Sequence, residues 1–386
     1  MQDRPTHVAM VAGEASGDLL GSHLMAALKA RRTGLRFSGI GGPKMIAEGL
    51  ESLYPIEQLS VRGYAEVLGQ YRAITEMRRR LARRLLEERP ALYVGIDSSD
   101  FNLELERQLK DAGIPTVQYV SPSIWAWRGW RVRRIARSVT HLLALFPFEP
   151  ALYEKAGVAV TYVGHPLADL IPLASDRAQA RAQLRLPATA RIVALLPGSR
   201  RSELQYMGEI FVRAARRLSE QLPEAHFVCP TASRDTREQF EAVLRSAGAA
   251  DLPLTLLYGH SHEALAAADV ALVASGTATL ETALIKTPMV IAYRQSPLTW
   301  ALMRRMIYLP YIGLPNILAG EAFVPEYIQN RATPEALAGA LAALLQDPIA
   351  QQHQIERFRA IHATLRQNTA QKAADAVLGV LDGARA

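Results

Sequence analysis

Apolar residues along the chain follow two alternating rhythms. Val8–Ala12 is a short hydrophobic run. It meets the small, polar turn Gly13-Glu-Ala-Ser-Gly-Asp18, after which Leu19, Leu20, Leu24, Ala27 and Leu28 recur at helical spacing. That succession predicts strand, tight turn and helix. Arg36–Ile40 predicts a second strand, ending in Gly41-Gly42-Pro43. Tyr71, Ile74, Met77, Leu81 and Leu85 then draw a helical stripe, interleaved with Arg72, Arg78, Arg79, Arg80, Arg83 and Arg84. Ala91–Ile96 runs into Asp97-Ser-Ser-Asp100, Thr116–Val120 enters Ser121-Pro-Ser123, and His141–Phe146 and Val160–Val163 complete the series. Repeated strand–helix units of this kind predict a parallel sheet wound on both faces.

The rhythm then restarts. Pro166, Pro172 and Pro187 bracket a polar, helical-looking stretch that reads as a linker near 165–188. Beyond it Arg191–Leu196 enters Pro197-Gly-Ser-Arg-Arg-Ser-Glu203, and His226–Pro230, Leu254–Tyr258, Val270–Ala274 and Met289–Tyr293 are further strands with helical patterns between them. The fold class is therefore α/β, with two doubly wound Rossmann-like domains, 1–170 and 188–350. Helices over 351–386 are expected to pack on the first domain or on a partner subunit. No repeat of 20–50 residues and no low-complexity tract interrupts this pattern.

Composition narrows the class. The chain has 386 residues, 49 % hydrophobic and 21 % charged, which excludes a disordered chain or a coiled coil and fits about two domains. Net charge is +7, and only six of the 44 basic residues are Lys (29, 44, 110, 155, 286, 372), so the basic surface is built from forked guanidinium groups. A single cysteine, Cys229, rules out an intrachain disulfide and a cysteine zinc cluster, and reads as a packed small hydrophobe. Val8–Ala12 is too short, and too soon followed by Glu14 and Asp18, for a secretory signal. No window of 18 apolar residues is present, so a soluble protein or one on a membrane surface is expected.

Five stretches carry candidate chemistry. The turns Gly13-Glu-Ala-Ser-Gly17 and Pro197-Gly198-Ser199-Arg200 place small residues where backbone N–H groups open a helix, an arrangement that binds anions. Neither is a dinucleotide or P-loop fingerprint. Ser275-Gly276-Thr277-Ala278 follows a strand in the same way, with Glu281 one turn into the helix. A diphosphate would suit the N–H groups and a ribose diol the carboxylate; a helix simply capped by Thr277 is the plainer reading. Asp97 and Asp100 stand at a strand's carboxyl end, suited to a general base and its neighbouring cap, or to one cap and one solvated acid. Ser121 to Arg134 gathers Trp125, Trp127 and Trp130 with Arg128, Arg131, Arg133 and Arg134, a mixture fit for a membrane interface, for stacked RNA bases, or for a buried Trp pair beside a solvated helix. His165, before Pro166, reads as a local hydrogen-bonding residue.

Together these motifs resemble the lipid-A-disaccharide synthase family along nearly the whole chain. The resemblance rests on Val11-Ala-Gly-Glu-Ala-Ser-Gly-Asp18, Asp97-Ser-Ser-Asp-Phe-Asn102, Tyr119-Val-Ser-Pro-Ser-Ile-Trp-Ala-Trp-Arg128, Phe146-Pro-Phe-Glu149, Gly164-His-Pro166, Leu195-Leu-Pro-Gly-Ser-Arg200, Ala274-Ser-Gly-Thr-Ala278 with Glu281, and Leu314-Pro-Asn-Ile-Leu-Ala-Gly320. Ser98-Ser99 departs from the Ala-Pro often found in the family.

The resemblance implies a two-domain glycosyltransferase fold of the GT-B type with its active site in a cleft between the domains. It implies UDP-2,3-diacylglucosamine as donor, lipid X (2,3-diacylglucosamine 1-phosphate) as acceptor, inversion at the anomeric carbon, no metal and no cofactor. It also implies a peripheral position on the anionic cytoplasmic face of the inner membrane, with a homodimer compatible and no nucleic-acid partner. Asp97, or failing it Asp100, would be the base. Gly198, Ser199, Arg200, Ser275, Gly276, Thr277, Ala278 and Glu281 would hold UDP, with Tyr258 and Asn316 as further donor-side candidates. Gly13, Glu14, Ser16, Gly17, Ser121, Trp125, Trp127 and Arg128 would serve the acceptor or the N-terminal loop. The competing readings are a UDP-N-acetylglucosamine 2-epimerase or another UDP-sugar transferase of this fold, and a non-enzymatic RNA- or membrane-binding protein.

Overall fold

The computed structural model describes residues 5–59, 67–125, 129–306 and 309–384. The chain divides into two compact units, residues 1–169 with 365–386, and residues 170–364.

The first unit holds β1 (Thr6–Ala12), β2 (Leu35–Ile40), β3 (Leu50–Ser52), β4 (Leu92–Ile96), β5 (Thr116–Tyr119), β6 (His141–Ala144) and β7 (Ala159–Tyr162). They form one sheet in the order β3-β2-β1-β4-β5-β6-β7, and every pairing is parallel. Residues 8–12 and all of β4 are buried, as expected of strands covered by helices on both faces. The second unit holds β8 (Arg191–Leu196), β9 (Ala225–Thr231), β10 (Leu254–Tyr258), β11 (Val270–Ala274), β12 (Met289–Tyr293) and β13 (Glu326–Ile328), in the order β10-β9-β8-β11-β12-β13 and again all parallel. Periodicity located every strand except β3 and β13. Each of those is a three-residue edge strand, too short to show alternation.

The C-terminal stretch is helical as expected, and the boundary between the units runs through it. The helix Pro348–Leu365 stays with the second unit, where Gln354 bonds both the N–H and the carbonyl of Met289. The helix Thr369–Gly383 returns to the first. Asp169 accepts the N–H groups of Asn368 (3.0 Å) and Thr369 (2.6 Å) at its start. Ala373, Val377 and Leu381 join the core beside Leu24 and Leu28, each large aliphatic side chain contributing roughly 1.5–3 kcal/mol by burial. Arg31 and Arg32 pair with Asp375 and Asp382, both at 2.6 Å, along the same helix.

Candidate active site

Each sheet reverses its strand order once, between β1 and β4 in the first unit and between β8 and β11 in the second. Ligands of open parallel sheets collect beyond the carboxyl ends of the strands at such reversals. The turns leaving these four strands are Gly13–Gly17, Asp97–Asp100, Pro197–Arg200 and Ser275–Ala278. Topology thus pairs the four sequence motifs two by two.

In the first unit the two turns touch. A Cβ on Gly13 would lie 1.9 Å from Ser98 Oγ, so only glycine fits there. Asp97 leaves β4 with φ 53° and Ser98 follows at φ 38°. Two successive left-handed residues without a glycine store of order 1–3 kcal/mol each, and hydrogen bonds hold them. The Asp97 N–H donates to Tyr119 O at 2.8 Å, and its carbonyl accepts from Asn102 Nδ2 (3.0 Å) and Gln118 Nε2 (3.1 Å). Burial raises the Asp97 carboxyl above the usual carboxylate range, and the Glu14 carboxylate adds to the effect against the Ser98 N–H. A general base gains from that direction. The following helix starts at Ser99, so Asp100 sits in its first turn and Asp97 outside it. Asp100 is exposed and pairs at 2.5 Å with the buried Arg131. Glu14 and Ser16 are exposed at the start of the Ala15–Arg31 helix, while Gly17 is buried against Ala12 and the Ile96 carbonyl.

An aromatic group stands near the ends of β5 and β6. Trp125 meets Phe146 (6.0 Å) and Phe148 (5.4 Å) edge-on, and Phe146 stacks on His165 (5.7 Å). Burial takes His165 down to about 4, against the pull of Asp169, so the ring is neutral at pH 7. Glu149 is buried there and accepts the N–H groups of Leu145 and Phe146, both at 2.9 Å. Burial pushes its carboxyl up to about 7 despite those bonds. Ser121 is buried with its hydroxyl 2.6 Å from that of Tyr153. Trp127 and Arg128 lie outside the described residues.

In the second unit Gly198, Ser199, Arg200, Ser275, Gly276, Thr277, Ala278 and Glu281 all line one cavity of about 470 Å³. Its two turns differ. Glu203 folds back so that its carboxylate accepts the N–H groups of Ser199 (2.8 Å) and Arg200 (3.3 Å). The expectation that this turn offers its backbone donors to an anion is thereby corrected in part: the helix's own third residue takes the N–H groups of Ser199 and Arg200, leaving the exposed Arg200 side chain and, among the described residues, the first-turn N–H groups of Arg201 and Ser202 without an acceptor. The turn after β11 stays open. Gly276, not Thr277, is the N-cap, at φ 156°, and no side chain caps the helix. Among the described residues no protein acceptor meets the N–H groups of Gly276, Thr277 and Ala278. Orphan donors of a first helical turn, aligned with the helix dipole, are an anion site. Ser275, at the edge of the same cavity, ties the turn to the chain at Ile312, its hydroxyl donating to Ile312 O at 3.0 Å.

The chain matches the family model described as lipid-A-disaccharide synthetase over residues 8–379. It is 56 % identical over 376 residues to the lipid-A-disaccharide synthase of Dechloromonas aromatica, covering 97 % of this chain and 98 % of that one. It is 55 % identical over 377 residues to the synthase of Aromatoleum aromaticum, covering 98 % and 96 %. The chain belongs to the lipid-A-disaccharide synthase family. Solved structures share the architecture at low identity. Acinetobacter baumannii MurG matches with TM-score 0.58 at 17 % identity, covering 97 % of this chain and 100 % of that one. WaaG, a glycosyltransferase involved in lipopolysaccharide biosynthesis, matches with TM-score 0.57 at 15 %, covering 97 % and 100 %. A Neisseria meningitidis UDP-GlcNAc 2-epimerase bound to UDP-GlcNAc reaches 0.63 at 11 %, covering 98 % and 100 %. These likenesses establish the GT-B type of fold. The epimerase shares that fold alone, whereas the family model and the close relatives are all synthases.

Within this family member two donor-side candidates stand apart from the cavity. Tyr258 is 63 % exposed at the end of β10 and is not among the lining residues. Asn316 is fully buried, and its amide is spent within the protein. It donates to Val324 O and Glu326 Oε1, both at 2.8 Å, and accepts from Phe323 N and Val324 N. Glu326 in turn takes the N–H groups of Ile312 and Gly313. Asn316 therefore shapes the wall behind Ser275, a correction to its reading as a ligand contact. Sequence reasoning missed His262, whose Nε2 lies 3.5 Å from Glu281 Oε2 and which that carboxylate shifts upward. The signal was present in Gly259-His260-Ser261-His262, a glycine–histidine cluster closing a strand.

Proposed function

We propose that the chain transfers the diacylglucosaminyl group of UDP-2,3-diacylglucosamine to the 6-hydroxyl of lipid X. The products are the β-1,6-linked disaccharide 1-phosphate and UDP. The observation that carries this reading is the uncapped Gly276 turn beside Arg200, in a chain of the lipid-A-disaccharide synthase family. A diphosphate satisfies the three orphan N–H groups, and Arg200 adds a charge-assisted contact as negative charge grows on the leaving β-phosphate. Glu281, oriented by His262, takes the ribose hydroxyls.

A sugar hydroxyl is a weak nucleophile at neutral pH. Asp97 accepts its proton while O6 forms the new bond to the anomeric carbon. The bond from that carbon to the phosphate oxygen breaks, and UDP departs with the electron pair. Displacement from the opposite face gives inversion.

Both substrates carry acyl chains, so the protein works at the anionic cytoplasmic face of the inner membrane. Among the described residues no helix is long and apolar enough to cross a membrane. The helix Val67–Glu88 offers the docking charge. Arg80 and Arg84 are tied to Glu76, Glu51 and Glu88, and Arg78 lies over Phe101, whereas Arg79 and Arg83 project as exposed cations. Each such cation gains about 1 kcal/mol near anionic lipid. Incubation with lipid X and the diacylated UDP sugar tests the whole reading: a product of disaccharide 1-phosphate mass is expected. Release of UDP without it, or epimerised UDP sugar, would overturn it.

A further inference from the structure

Beneath the Asp97 turn lies a polar cluster that no step above uses: Tyr93, Asn102, Glu106 and Gln118, all fully buried. We propose that Glu106 is a positioning residue, a neutral carboxylic acid that donates its proton to Gln118 Oε1 and so fixes the amide that grips the Asp97 carbonyl. The inference rests on the reading of Asp97 as the base.

Two amides reach the strained turn. Asn102 Nδ2 donates to Asp97 O at 3.0 Å, and the opposite end of this amide is set by Tyr93, whose hydroxyl donates to Asn102 Oδ1 at 2.8 Å. Gln118 Nε2 faces Asp97 O (3.1 Å), Val120 O (3.2 Å) and Tyr119 O (3.4 Å). Three carbonyls at one end fix which end is NH₂, so Gln118 Oε1 points away from them. There, among the described residues, it finds no donor, and neither oxygen of Glu106 finds one either.

The orphan acceptors share one place. A Cβ on Gly95 would lie 2.4 Å from Glu106 Oε1 and 2.9 Å from Gln118 Oε1, so both oxygens crowd the bare face of that glycine. Buried acceptors facing each other are costly, and one proton between them removes the cost. The charged alternative would leave a carboxylate in the core, where among the described residues no cation pairs with Glu106. Burial accordingly drives this carboxyl well above its ordinary range. Tyr93 and Glu106 then play matching parts, each a neutral acid orienting one amide from behind. The amides hold Asp97 and Ser98 at positive φ.

Glu106→Gln keeps a donor in place, whereas Glu106→Leu removes it. Glu106→Gln is expected within about twofold of wild-type kcat with the same pH–rate profile. Glu106→Leu is expected to lose about tenfold or more in kcat with little change in donor KM, because a displaced base damages the chemical step. Infrared difference spectra of wild type minus Glu106→Gln should show the C=O band of a protonated carboxyl at pH 7. Carboxylate bands alone, or a Glu106→Gln enzyme as impaired as Glu106→Leu, would overturn the proposal. If Glu106→Leu does not fold, the glutamine variant and the infrared band decide. Asp97→Asn measured alongside separates the two claims: an active Asp97→Asn enzyme removes the base assignment, while the infrared band still judges the Glu106–Gln118 bond.

Discussion

The turn after β8 and the turn after β11 both set a glycine between a buried strand and a long or apolar helix, yet they end in opposite states. In the first, Glu203 bends back onto the N–H groups of Ser199 and Arg200. In the second, Gly276 brings no side chain, and the donors of Thr277 and Ala278 are left to whatever enters the cavity. The same glycine signature therefore marks a turn partly closed by its own glutamate and an open one. The third residue of the helix decides which: a glutamate reaches back, whereas Thr279 bonds the Gly276 carbonyl and leaves the N–H groups alone.

The largest expected effect lies in the other unit, where a turn is gripped by its carbonyl and presents a carboxylate. Asp97→Asn keeps the shape and loses proton acceptance, so kcat should fall by about 10²–10⁴. UDP affinity, which the proposed site assigns to the other turn pair, should stay within a factor of about two. A variant with more than half the activity would move the base elsewhere.

Arg200→Ala sharpens the comparison at the closed turn. If only the side chain of that turn serves ligand, UDP binding should weaken by about 1.5–3 kcal/mol, the range of a charge-assisted hydrogen bond. Calorimetry measures it directly, and unchanged affinity would make Arg200 a bystander.

Glu149 is a second carboxylate that closes a turn from within, and it is more deeply buried than Glu203. Its carboxyl, raised to about 7, stays protonated in the folded chain at pH values where the unfolded chain has already ionised. The unfolded state then binds fewer protons, so stability falls as pH rises from about 4.5 to 7. Glu149→Gln removes this dependence. Between pH 5 and pH 8 the wild type should lose about 1–3 kcal/mol relative to the variant in denaturant melts. Parallel pH curves would contradict the burial argument.

Glu203→Ala gives the smallest effect. Opening the closed turn should cost about 1 kcal/mol of stability, as loss of a cap does, without weakening UDP. Tighter UDP binding would show the freed N–H groups taking up phosphate.

Much of this was legible in the sequence because buried parallel strands are continuous apolar runs. Val270–Ala274 and Ala91–Ile96 announce themselves, and the motifs that follow fall at the strand-order reversals. The three-residue edges β3 and β13 carry no period and stayed invisible. So did the difference between the two glycine turns, because Glu203 three residues past Arg200 suggests a cap only once its carboxylate is seen on those N–H groups. Asn316 misled for a related reason. Polar side chains in distinctive motifs serve either a ligand or the backbone, and only the saturation of its amide by Val324, Phe323 and Glu326 tells which. Glu106 and Gln118 gave no signal at all, since a lone acid within a helix and a lone amide within a strand read as surface positions until both prove buried.

One measurement tests most directly that the open turn holds the nucleotide: UDP calorimetry on Thr277→Pro, with Thr277→Val as control for the hydroxyl. Proline is well tolerated at the first helical position, so the fold and its Tm should survive while one orphan N–H disappears. UDP affinity should drop by about 0.5–1.5 kcal/mol relative to Thr277→Val, the net worth of one hydrogen bond. A Thr277→Pro protein that binds UDP as tightly as its valine control would contradict the assignment of the diphosphate to the Gly276 turn.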